Sequence, residues 1–123
     1  MELNRLQLAA AVKAGKAMAA ADGKIDPEEL KVIAIGLQEF GIVGDETKLI
    51  LALADAMEPT TMLATLSAMN EEQKKFVCGY LSTIMVCDGD IDESEMKLWQ
   101  LTSTLAGFPT MTIAEANEYW SSH

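Results

Sequence analysis

One stretch of this chain occurs twice. Asp22-Gly23-Lys24-Ile25-Asp26-Pro27-Glu28-Glu29 returns sixty-six residues later as Asp88-Gly89-Asp90-Ile91-Asp92-Glu93-Ser94-Glu95, with Asp, Gly, Ile, Asp and Glu in register. The match runs on from Lys31/Lys97 to Gly41/Gly107. Such a repeat constrains the fold more than composition does, because each copy is one supersecondary unit that must reach the same shape. Each reads as helix, tight acidic turn, helix, giving pseudo-repeats over about 3–42 and 70–108. Nine of the nineteen acidic residues lie within these sixteen positions, which places the functional weight on the turns.

Helix signals fill the rest. Alanine-rich sequence without proline predicts a helix from Leu3 to Ala21, whose small residues let a neighbour approach closely. Asp26 as N-cap, Pro27 at the first helical position and Glu29 at the third start a second helix, with Leu30, Ile33, Ala34 and Leu37 as its stripe. Gly41-Ile42-Val43-Gly44 turns, and Asp45 caps a third helix through Leu49, Leu53 and Met57, which Pro59 ends. Thr60 or Thr61 begins a short fourth. Asn70-Glu71-Glu72-Gln73 is a capping box opening a fifth that runs to Cys87. Asp92 and Glu95 repeat the box for a sixth carrying Met96, Trp99 and Leu105. After the break at Gly107-Phe108-Pro109, Thr112 and Glu115 cap a last helix with Tyr119 and Trp120. No period-two strand pattern occurs. The expectation is an all-α, compact single domain of about seven helices.

A chain of 123 residues that is half apolar buries a core without staples. The net charge of −10 argues against nucleic acid or an anionic membrane as partner and favours cations or basic surfaces. No uninterrupted apolar run approaches the ~20 residues a membrane helix needs, so direct membrane insertion is not expected. Arg5, Lys13 and Lys16 make the first helix a basic exception. Cys78 and Cys87 fall on one predicted helix, about 13 Å apart at 1.5 Å per residue, too far for a disulfide. Unpaired thiols point to a reducing cytoplasm. No charged segment followed by an apolar run opens the chain, so no signal peptide is expected. The single histidine, His123, is terminal, which removes histidine-based catalysis and zinc sites.

The repeated stretch matches the second half of an EF-hand loop, in which a carboxylate, a glycine, a carbonyl, a further ligand and a bidentate Glu fall at these spacings. The first half is missing. The upstream ligand positions hold Met18 and Ala20 in one copy and Ile84 and Val86 in the other. Asp22, the Lys24 carbonyl, Asp26 and Glu29 supply about five oxygens, against the 6–8 that calcium prefers. Oxygen donors alone select calcium, magnesium or manganese. The candidate metal ligands are Asp22, Asp26, Glu29, Asp88, Asp92 and Glu95.

Caps and helix stops explain Gly23, Gly89, Asp26, Asp92, Glu29 and Glu95 without any ligand. Asp22 and Asp88 resist that explanation. A carboxylate at a helix C-terminus is unfavourable by about 0.3–1 kcal/mol, unless a local amide hydrogen bond or a cation offsets it. The eight methionines, among them Met57, Met62, Met69 and Met85, read as core filling rather than a copper or partner site. Trp99 reads as core, Cys78 and Cys87 as small buried residues, and Tyr119 and Trp120 as either a docking anchor or a contact patch. A metal-dependent hydrolase needs a pocket beside the acids, which nothing in the sequence supplies.

The carriers Ala20-Ala21-Asp22-Gly23-Lys24-Ile25-Asp26-Pro27-Glu28-Glu29 and Cys87-Asp88-Gly89-Asp90-Ile91-Asp92-Glu93-Ser94-Glu95 make the chain resemble the TerB-like family of tellurite-resistance proteins. The resemblance spans essentially the whole chain. It implies a bundle of about seven helices and an association with resistance to tellurite and other stresses, and the chain is expected to be a non-enzymatic module. The role is cytoplasmic, beside a membrane-protein or other protein partner. It further implies that the same six acidic positions bind a divalent metal.

Overall fold

The computed structural model describes residues 3–20, 36–38, 41–42, 44–86 and 93–122. All regular structure among them is helical: α1 (Arg5–Ala19), α2 (Asp45–Ala56), α3 (Pro59–Ser67), α4 (Glu71–Val86), α5 (Glu93–Ala106) and α6 (Ile113–Ser122). Residues 36–38 are also helical and fall at the end of the second helix expected from sequence. The protein is an all-α single domain.

Capping boxes set three of the helix starts. At α4, Asn70 Oδ1 accepts from the Gln73 amide at 2.8 Å while the Asn70 amide donates to Gln73 Oε1 at 3.0 Å. Thr112 and Glu115 exchange the same pair of bonds, both at 3.1 Å, at α6. The box at α1 was not anticipated: Asn4 and Gln7 make it, so the helix begins at Arg5 rather than Leu3. Asn4/Gln7 and Asn70/Gln73 are separated by the repeat offset of sixty-six. The two boxes also meet, Gln73 Nε2 donating to Gln7 Oε1 at 3.5 Å, so the N-termini of α1 and α4 are neighbours.

Two helix ends sixty-six residues apart close alike. Gly107, with φ 68°, donates to the Thr104 carbonyl while Phe108 donates to that of Ser103. Gly41, with φ 82°, donates to Gln38 while Ile42 donates to Leu37. This pair of hydrogen bonds over a left-handed residue is the Schellman closure, which glycine adopts without a Cβ penalty.

Two expectations need correction. Asp45 is the first residue of α2 and not its cap; Gly44, with φ 64°, holds the cap position and no side chain bonds there. Pro59 opens α3 instead of ending α2. Proline lacks an N–H that the first helical position would leave unbonded anyway, so α2 stops three residues earlier, at Ala56.

α1 lies at the centre. Leu8, Ala9, Ala10, Ala11, Val12, Ala14 and Met18 are all buried, and the helix touches α2, α3, α4 and α5. A helix apolar on nearly every side is one surrounded by others. Its basic residues serve the packing with α2: Arg5 pairs with Glu46 at 3.0 Å, Lys16 with Asp55 at 2.5 Å, and Lys13 donates to the Ala54 carbonyl. These contacts align the two helices in the same direction.

Met57, Met62, Met69 and Met85 are buried as expected, with Trp99 and Cys78. Leu105 is 54% exposed, as is its neighbour Leu101 at 55%, so the inner face of α5 is Trp99, Thr102 and Ala106. α6 docks on α4 through aromatic edges: Phe76 meets Tyr119 at 5.3 Å and Trp120 at 6.3 Å, both near perpendicular, and Tyr80 meets Trp120 at 5.8 Å. Such pairs add about 0.5–1.5 kcal/mol each beyond burial. Among the described residues no single helix is long and apolar enough to cross a membrane.

Candidate functional site

Asp22, Asp26, Glu29, Asp88 and Asp92 lie outside the described residues, as do Gly23, Gly89 and Cys87. Glu95 is described. It is the third residue of α5, where a capping box headed by Asp92 requires it, and its side chain is buried at 4% exposure. A carboxylate is almost never buried unless its charge is met by neighbouring groups. Met18 and Ile84, at the positions where an EF-hand loop would begin, are fully buried in α1 and α4. Neither copy therefore has the front half of a calcium loop. No group of three or more His, Cys, Asp or Glu side chains gathers among the described residues.

The site that sequence reasoning missed is a groove of about 720 Å³ between the end of α4, the first half of α5 and α6. Val86, Met96, Trp99, Met111, Ile113 and Ala114 give it an apolar lining, and Gln100, Asn117 and Glu118 supply polar groups. It adjoins the second acidic stretch in the chain, since Val86 directly precedes Cys87 and Met96 lies four residues past Asp92. A second hollow of about 410 Å³ shares Trp99, Gln100 and Met111 with it and extends along α5 to Ser103, Thr104 and Pro109. Met96 and Met111 pack against the core and are half-buried, so besides filling the core they present part of their surface to the groove. A signal was present in Met96, Trp99 and Gln100, spaced for one side of a helix, followed by Met111 and Ile113 after a break. Periodicity marks such residues as apolar without saying what covers them.

The sequence that carries the groove is mostly acidic. From Cys78 onward the chain carries seven carboxylates and one cationic side chain, Lys97. Lys97 reaches Glu93 at 3.3 Å across one helical turn. On the opposite end of α4, Lys74 donates to the Gly107 carbonyl and Lys75 lies 6.0 Å over the Tyr119 ring. Among the described residues Glu118 is the one charged side chain that lines the groove.

Two titratable groups sit in the core. Burial pushes the Cys78 thiol up to about 12 and raises the Tyr80 hydroxyl well above its ordinary value. Neither supplies a nucleophile at neutral pH, because a thiol reacts as its thiolate.

No family model matches the chain, and no curated protein sequence matches it. Among solved structures, the crystal structure of a protein of unknown function from Porphyromonas gingivalis W83 is similar to it. The two are 43% identical and superpose with a TM-score of 0.88, over 98% of this chain and 92% of that one.

Proposed function

The chain belongs to the same family as this Porphyromonas gingivalis protein; from the sequence motifs we propose that it is a non-catalytic, TerB-like stress-resistance module. Its two Asp-Gly-x-Ile-Asp-x-x-Glu turns bind a divalent cation, or a basic segment of a partner, on the cytoplasmic face of a membrane. The observation that carries this reading is the repeat itself. Both copies carry an Asp close behind a helix in the sequence, Asp22 three residues past the end of α1 and Asp88 two past the end of α4, where the dipole gives a carboxylate no support. Glu95, the one candidate ligand among the described residues, is held inward at the start of α5. The donors would be oxygen only, which fits calcium, magnesium or manganese.

Titrating the ¹⁵N-labelled protein with each of these ions tests it. The amides of residues 22–29 and 88–95 shift with calcium or magnesium and broaden with manganese. Replacement of Asp22 and Asp88 by Asn abolishes the response. No change at millimolar metal discards the proposal.

A second reading has an observation of its own. Three helices here start with reciprocal capping boxes, and Asp92/Glu95 has the same spacing. In that reading the acids are structural and the chain is a helical protein-protein adaptor. The Asn variants then leave partner binding intact.

A further inference from the structure

The groove between α4, α5 and α6 has a floor of Met96, Trp99, Met111 and Ile113, and with its extension it follows α5 from Met96 to Thr104. Those nine residues span about 12–14 Å at 1.5 Å per residue, enough for two to three turns of a helix laid alongside. Methionine is unbranched and polarizable, so it re-forms around apolar side chains of varied shape. The surface that an occupant's outer side would meet is acidic, with Glu118 on the groove and Glu115 on the same helix. Among the described residues no cationic side chain lines either hollow.

We propose that this groove is the docking site for a basic amphipathic helix of a partner protein, whose apolar face seats on Met96, Trp99 and Met111 while its Lys or Arg side chains face the carboxylates. This is the helix-in-groove mode of recognition, in which apolar residues at i, i+3, i+4 and i+7 act as anchors. Opposite charge speeds encounter and rejects acidic competitors. A second copy of the chain is disfavoured as occupant, because two molecules of charge −10 repel. The proposal rests on the reading of the chain as a binding module but is independent of metal at the acidic turns.

The test titrates a synthetic amphipathic peptide of about 18 residues, Leu on one helical face and Lys on the other, into the full chain in EDTA. Binding is followed by peptide anisotropy and by amide shifts. The expected shifts fall at residues 96–100 and 111–118. A peptide with Glu in place of Lys binds at least about tenfold more weakly. Ala114→Arg and Glu118→Lys, both at exposed positions, each weaken the Lys peptide by about tenfold or more. Their helix content stays unchanged. Equal affinity for both variants overturns the proposal, since attraction is then diffuse and the groove is not used. Equal affinity for the Glu peptide overturns its charge selectivity. A dimer in sedimentation that Ala114→Arg dissociates assigns the groove to a second copy and overturns it as well. Because metal is absent throughout, failure here is distinct from failure of the cation reading, whose signals lie at residues 22–29 and 88–95.

Discussion

A β-carbon on Gly79 would lie 2.7 Å from the Trp120 Cβ and 2.9 Å from the Ala116 carbonyl oxygen. In an exposed helix interior, Gly→Ala stabilises by about 0.5–1 kcal/mol. At Gly79 the sign reverses, because α4 and α6 must separate to admit the methyl group. Gly79→Ala is expected to lower unfolding stability by about 1–3 kcal/mol, read from urea denaturation. A gain in stability would mean that the contact yields. Gly36 is in the same position, a β-carbon there meeting the Tyr80 ring edge. Neither glycine could be told from a helix-weakening one by sequence, since what forbids the side chain comes from another helix. The core also imposes a pH limit. The Cys78 thiol, ordinarily near 9.0, is held to about 12 by burial. Between those values the unfolded chain loses a proton that the folded chain keeps. This part of the stability is therefore complete below pH 9 and is lost as pH rises toward 12, with a limiting slope of about 1.4 kcal/mol per pH unit. Tyr80 adds to the loss in the same direction once pH passes its ordinary 10.0. Urea midpoints at pH 7, 9 and 10.5 should be flat across the first interval and fall across the second, less steeply in Cys78→Ala.

At the scale of elements, the helix starts and stops were the most legible part of the sequence. Asn70/Gln73, Thr112/Glu115 and Gly107 act as their local chemistry demands, because caps are read from residues adjacent in the chain. Asn70→Ala is expected to cost about 1 kcal/mol of global stability, and Asn70→Asp close to nothing; equal losses would show the box to be idle. Pro59 was misread because proline marks a boundary without saying which helix it bounds. The groove was illegible for a different reason. Met96 and Met111 have the same apolarity as the buried Met57 and Met85, and only the placement of α6 leaves them half-exposed at the groove.

For the whole molecule, the sixty-six-residue offset reaches beyond the acidic turns. It joins Asn4/Gln7 to Asn70/Gln73 at one end and Gly41/Ile42 to Gly107/Phe108 at the other. The same offset carries buried Ile50 of α2 onto buried Ala116 of α6, although those helices share no evident sequence pattern. The contact of Lys13 with Ala54 likewise becomes that of Gly79 with Trp120. Packing positions have persisted where residue types have not, which is why the repeat seemed to end at Gly107. The candidate ligands were legible as a pattern, yet of the six only Glu95 lies among the described residues.

The measurement closest to the central claim is calorimetric titration of calcium and manganese into the wild-type chain and into the Asp22→Asn/Asp88→Asn double variant. The account predicts saturable heat for the wild type with affinity of about millimolar or tighter, and none for the variant. Wild-type protein that gives no heat, or a variant that binds as well as wild type, would contradict it.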